Sequence, residues 1–143
     1  MISLNSDKLH DLGLLVLRIG IGIVFMHHGY PKLQGGPEVW NGVGGALMTI
    51  GISRYLTFFG FMAAVSEFGG GLLLALGLFV RPASLFMCIT MVMATTMHIR
   101  SGDSFQVYSH PLKCAILFFS LVLIGAGKMS LDEHLFKRHT KDE

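Results

Sequence analysis

Charge is what this 143-residue sequence lacks most: Asp, Glu, Lys and Arg make up 14% of it, against about 25% in ordinary soluble domains. That leaves too few polar side chains to cover a water-facing surface. Eleven Lys and Arg against nine Asp and Glu give a formal charge of +2. The excess is small and scattered, which excludes the basic footprint of a nucleic-acid binder. There are two cysteines, Cys88 and Cys114, and no C-x-x-C pair. No P-loop, no G-x-G-x-x-G after a strand and no metalloprotease helix motif occurs. Nothing alternates apolar with polar residues over the ten or so positions of a barrel strand. A chain of this length makes one domain, with no room for a separate nucleotide-binding half. At the N-terminus, Asp7 and Asp11 dilute Lys8 and no small-residue cleavage site follows the apolar run, so no cleaved signal is expected.

Apolar length is what is present, with 52% hydrophobic residues and 18 glycines. A helix needs about 20 mostly apolar residues to cross a hydrocarbon core about 30 Å thick. Four stretches qualify: 12–30, broken by Arg18; 55–80, broken by Glu67; 82–99, without formal charge; and a short one at 111–127 that carries Lys113. The expected fold is all-α, an integral membrane four-helix antiparallel bundle forming one domain over 1–143. Pro82 cannot continue a helix and suits the first turn of the next. The long connection 31–54 is glycine-rich and holds Trp40, a residue favoured at the headgroup level; it reads as an interfacial or re-entrant segment, or equally as a plain surface loop. Lys8, Arg81, Lys128, Lys137, Arg138 and Lys141 fall on one side, and Lys32, Arg54 and Arg100 on the other. That bias places both termini in the cytoplasm of a multi-pass inner or plasma membrane protein. Ser130-Leu131-Asp132-Glu133 has the form of a helix cap opening a short amphipathic helix in the tail 128–143.

A charge at the centre of a spanning helix costs about 2.5–3.5 kcal/mol on insertion scales, so it normally has a partner or a task. Glu67 lies near the middle of the second span. Its helical face carries Gly60, Ala63, Ala64, Gly70 and Gly71, small residues that mark close helix approach, so the carboxyl is expected to point into the bundle. Arg18, on a face with Gly22, Phe25 and Gly29, is the expected ion-pair partner, a structural staple, unless it snorkels to the headgroups. If Arg18 faces inward, His28 lies nearer the interior than His27. The third helix offers Met87, Met91, Thr95 and His98 along one stripe. Chain direction then gathers His28, Lys32, His98, His110 and Lys113 at the non-cytoplasmic end, with Glu67 beneath them. The two cysteines are expected at depths more than about 10 Å apart, beyond disulfide reach, as packing residues.

The run from Arg18 through His27-His28-Gly29-Tyr30-Pro31 to Lys32 resembles the first helix of the DoxX family. The run from Glu67 through Phe68-Gly69-Gly70-Gly71 to Arg81-Pro82 is similar to that family's acidic, glycine-rich second helix and arginine turn, and Gly125-Ala126-Gly127-Lys128-Met129-Ser130-Leu131-Asp132 to its closing motif. The likeness spans residues 12–135. It implies a small bacterial-type four-helix membrane protein, some relatives of which are membrane subunits of thiosulfate:quinone oxidoreductases. Arg18, His28, Lys32, Glu67 and Arg81 carry over by motif position. Gly125-Ala126-Gly127 replaces the more usual Gly-Pro-Gly. Lys113 stands where a neutral or acidic residue is expected.

These readings converge on the membrane subunit of a quinone-linked oxidoreductase. Glu67 and His28 would handle protons as catalytic groups, Lys32, His98 and Lys113 would bind ligand, and Trp40 with the first connection would close the pocket. No cofactor and no metal site is encoded. Quinone fits the apolar walls with carbonyl-binding donors better than a bis-histidine haem on His28 and His98 does. Electrons would come from a redox partner protein; lipid is the other partner, and a homo-oligomer is open. The competing reading is a non-catalytic scaffold or assembly subunit. A small-solute transporter is weaker, because the chain shows no internal repeat.

Overall fold

The structure is a computed structural model that describes residues 6–136. Six α-helices follow one another: α1 (Ser6–Gln34), α2 (Gly36–Gly44), α3 (Leu56–Leu76), α4 (Val80–Arg100), α5 (Phe105–Ile124) and α6 (Leu131–Phe136), with a 3₁₀ segment, Gly45–Ile50, after α2. No strand occurs among the described residues. Helices α1, α3, α4 and α5 are each long and apolar enough to cross a membrane. They alternate in direction, so α6 returns to the end from which α1 starts. The fold is the expected all-α four-helix membrane bundle. Lys137, Arg138 and Lys141, which weighed on the charge bias, lie outside the described residues.

The element bounds depart from expectation at two prolines. Helix α1 runs on through Pro31 to Gln34, and α5 starts at Phe105 with Pro111 inside it. Proline removes one backbone donor and crowds the preceding turn, yet neither helix ends there. The connection after α1 is helical rather than a plain loop. Helix α2 lies along the first half of α3, with the Gly60 backbone against the Trp40 carbonyl and the Gly44 backbone against that of Leu56.

Glycine sets the spacing of α1 and α3. The buried residues of α1 are Asp11, Leu14, Arg18, Gly22, Phe25 and Gly29, a stripe with the three- and four-residue spacing of one helical face. A Cβ on Gly22 would stand 2.5 Å from the Gly71 carbonyl oxygen, and one on Gly71 would stand 2.6 Å from that of Gly22. Gly29 sits against Phe68 in the same way. Gly22→Ala is therefore expected to force the helices apart and cost about 1–3 kcal/mol, read as a lower thermal midpoint in detergent. Gly20→Ala, with nothing within 4 Å of its Cβ, should be neutral or slightly stabilising because alanine is the better helix former. Equal midpoints for the two variants would refute the close contact.

The core joins all four spans: Leu14 and Phe25 of α1, Leu74 of α3, Val80, Met87 and Met91 of α4, and Ala115, Phe118 and Leu121 of α5. Phe25 and Phe118 meet edge to face with centroids 4.8 Å apart, a favoured aromatic geometry. The cysteines depart from their expected depths. Cys88 Sγ lies 3.4 Å from the carbonyl oxygen of Ala115, the residue next to Cys114, so the two share a level, because α5 begins six residues earlier than the sequence suggested. Both are free thiols.

Candidate functional site

Glu67 sits where its small-residue face suggests, in the bundle interior, with its side chain 3% exposed. Its partner is a different cation from the expected one. Lys32 Nζ donates to Oε1 and to Oε2, both at 2.7 Å, a two-pronged pair in which the lysine side chain stays 34% exposed. The expected Arg18–Glu67 pair does not form. Helix register is the reason. Gly29 of α1 packs on Phe68 of α3, and the Arg18 guanidinium lies against Gly77, ten residues or about 15 Å further along α3 than Glu67. Arg18, 1% exposed, donates from Nη2 to the Met129 carbonyl at 2.6 Å instead. It is neither snorkelling nor paired with Glu67; it holds the segment between α5 and α6.

Trp40 anchors the lysine from the other side. Its indole Nε1 donates to the Lys32 carbonyl in the last turn of α1 at 2.8 Å, an acceptor shared with the Gly35 amide at 3.3 Å. The indole ring meets Phe61 edge to face at 4.8 Å. One tryptophan thus ties α1, α2 and α3 together beside the ion pair.

A cavity of about 640 Å3 opens next to this pair, between α3, α4 and the stretch from Gly42 to Leu47. Its walls are mostly apolar, including Ala63, Ala94 and Met97; its polar members are Lys32, Glu67, Thr90 and His98. Thr90 donates to the Phe86 carbonyl at 3.0 Å and lies 3.3 Å from the Ser66 hydroxyl, which puts residues 66 and 90 at one level. His98 Nδ1 is 2.7 Å from Asp103 Oδ2 in the turn after α4. The volume falls within the range of ordinary small-molecule sites.

The expected polar cluster therefore forms only in part. Lys32, Glu67 and His98 line one cavity, closed on one side by the first connection. His28 does not reach it. The buried stripe passes through Gly29, and His28, about 100° away around the helix, is exposed, its ring tilted beside that of Phe25 with centroids 6.2 Å apart. Lys113 is exposed outside the cavity. With α5 starting at Phe105, it lies two turns down the helix rather than at its mouth. His110 is likewise exposed. Sequence reasoning missed Thr90, whose hydroxyl one turn from Phe86 resembled any helical threonine, and Asp103, whose place beside His98 depends on the turn at Gly102. No group of three His, Cys, Asp or Glu side chains suited to a metal ion occurs among the described residues.

At the opposite end of the bundle the closing segment forms a clasp. Asp132 accepts hydrogen bonds from the amides of Phe79 at 2.7 Å and Val80 at 3.0 Å, and its own amide donates to the Gly77 carbonyl at 2.9 Å. Ser130 Oγ accepts from the Glu133 amide at 3.3 Å, so the expected cap on α6 is present. Asp11 accepts from the Lys128 amide at 3.1 Å. Arg81, 3.4 Å from the Leu123 carbonyl, belongs to this end and not to the cavity.

The chain is similar to known proteins along most of its length. The family model for DoxX matches residues 13–99. An uncharacterized protein of Haemophilus influenzae is 31% identical over 94% of this chain and 98% of its own. A protein of Escherichia coli named inner membrane protein YqjF is 30% identical over 92% of this chain and 98% of its own. A Bacillus subtilis protein that bears the name "Putative oxidoreductase CatD" is 25% identical over 92% of each chain. No solved structure matches.

Proposed function

We propose that this chain, which belongs to the DoxX family, is the membrane subunit of a quinone-linked oxidoreductase system in the cell membrane, with its termini in the cytoplasm and the Lys32–Glu67 cavity as its quinone site. The observation that carries this reading is a half-buried ammonium held by a buried carboxylate in a mostly apolar cavity. An ammonium has three N–H groups, and two of those on Lys32 are directed at Glu67. The third is free to polarise a carbonyl oxygen. The carboxylate beside it is placed to exchange a proton as that oxygen gains negative charge. The apolar walls suit a ring. Electrons come from a partner protein in this scheme. The names of the Escherichia coli and Bacillus subtilis relatives, "Inner membrane protein YqjF" and "Putative oxidoreductase CatD", agree with this location and class of chemistry.

Trp40 is the chain's one tryptophan, and it touches the residue that would bind the quinone. Adding a quinone to the purified protein in mild detergent is expected to quench its fluorescence along a saturating curve. Ala94→Phe, which fills the cavity, should leave only the linear quenching of quinone dissolved in the micelle. Identical curves for the two proteins would sink the quinone site and favour a non-catalytic scaffold.

A further inference from the structure

The cavity has three unlike boundaries, and together they assign a direction to whatever binds there. Its polar floor is the Lys32–Glu67 pair, at the level marked by the Ser66–Thr90 contact. Its second boundary is the rim at His98, eight residues beyond Thr90 and so about 12 Å further along α4, where the imidazole meets Asp103 in the turn after the helix. The third is lateral. Phe59, Met62, Phe86 and Ile89 line the cavity and are 40%, 42%, 58% and 52% exposed. Phe59 and Met62 belong to α3, Phe86 and Ile89 to α4, both membrane-spanning helices, so the surface these four share faces acyl chains.

We propose that the cavity is loaded sideways from the bilayer through this window between α3 and α4, and that its ligand is a quinone carrying a long apolar chain, held ring inward at Lys32, Glu67 and Thr90 with the chain leaving through the window. The inference rests on the quinone reading of the same site and adds the substrate class and its orientation. Three physical points carry it. The two-pronged pair cancels the charge at the floor, so an anionic head, such as a fatty carboxylate or a phospholipid phosphate, loses hydration there without gaining a free counter-charge. A neutral carbonyl needs only the remaining N–H. The window is apolar where the helices meet lipid, so a chain passing through it never enters water. A chain directed past the His98–Asp103 pair would do so, and each methylene moved from lipid to water weakens binding about fourfold.

Two photoreactive quinones test this with the unmodified protein in lipid vesicles, one carrying its azide on the ring and the other near the end of the chain. Labelled residues are mapped by mass spectrometry, with and without excess unlabelled quinone. The ring azide is expected to label residues around Glu67 and Thr90, and the chain azide Phe59, Met62, Phe86 or Ile89, both suppressed by competitor. Ring labelling near Glu67 with chain labelling at His98 or along residues 43–47 would overturn the lateral route and leave the quinone site standing. Ring labelling that competitor does not suppress, or that spreads evenly over the lipid-facing helices, would overturn both.

Discussion

Lys32→Met is expected to destabilise the bundle more than any other single change at the cavity, by about 3–5 kcal/mol, because it strands a buried carboxylate. Glu67 is 3% exposed, and both of its oxygens bond to Lys32 Nζ. Among the described residues no other Lys or Arg lines the cavity, and Arg18 is committed to Met129 at the other end of α1. The reverse change, Glu67→Gln, should cost less. The lysine is 34% exposed, and its flexible stem lets the ammonium move toward water or headgroups. The double variant Lys32→Met/Glu67→Gln removes both charges and should recover most of the loss. Thermal or denaturant midpoints of the four proteins in one detergent close the cycle. A loss in the double variant equal to the sum of the two single losses would show that the pair contributes no coupling. If all four fold alike, quinone quenching of Trp40 should still fall in each variant, which separates the binding role from the structural one.

The same pair shows what was legible in the sequence and what was not. The inward face of α1 could be read directly, because Arg18, Gly22, Phe25 and Gly29 recur at helical spacing and all four are buried. Glu67 could be placed in the interior from its glycine and alanine neighbours. Each of these serves a different contact: Gly60 meets α2, Gly70 meets Met87 of α4, and Gly71 meets Gly22 of α1. What periodicity lacks is depth. The level of one helix against another depends on where each begins and ends, and the stretches read as 12–30 and 111–127 stop short of α1's end and α5's start. Extending α1 past Pro31 brings Lys32 down onto Glu67; starting α5 before Pro111 sends Lys113 to an exposed flank and sets Cys114 level with Cys88. His28 failed for a related reason, since a single step of about 100° separates it from the buried Gly29. The long-range partners were beyond reach altogether. Nothing local marks Asp132 as a group that will meet residues more than fifty positions earlier.

Asp132→Ala should be the most damaging change at the termini end, costing about 2–4 kcal/mol. The α3–α4 turn is tight. Helix α3 ends at Gly77 with φ 71°, where the Leu78 amide reaches back to the Leu73 carbonyl at 2.9 Å, the hydrogen bond of a glycine C-cap. Phe79 then takes φ 48°, a left-handed conformation that costs a residue with a Cβ roughly 1–2 kcal/mol. The amides that follow, those of Phe79 and Val80, open α4 and have no acceptor within it. Asp132 supplies both acceptors as a carboxylate, at 2.7 and 3.0 Å, and a negative charge at a helix N-terminus is favourable in itself. Hydrogen bonds to a charged group contribute about 1.5–3 kcal/mol. The buried Arg18 adds to the effect, because its Nη2 fixes the chain at Met129, three residues earlier. Asp132→Asn keeps one carbonyl oxygen and should lose about half as much. Hydrogen exchange at the Phe79 and Val80 amides gives a local readout besides the midpoint. Protection there should fall in Asp132→Ala and partly survive in Asp132→Asn, while amides near Thr90 stay protected. Unchanged exchange at Phe79 and Val80 in the alanine variant would mean that the turn holds itself and that the closing segment only rests on it.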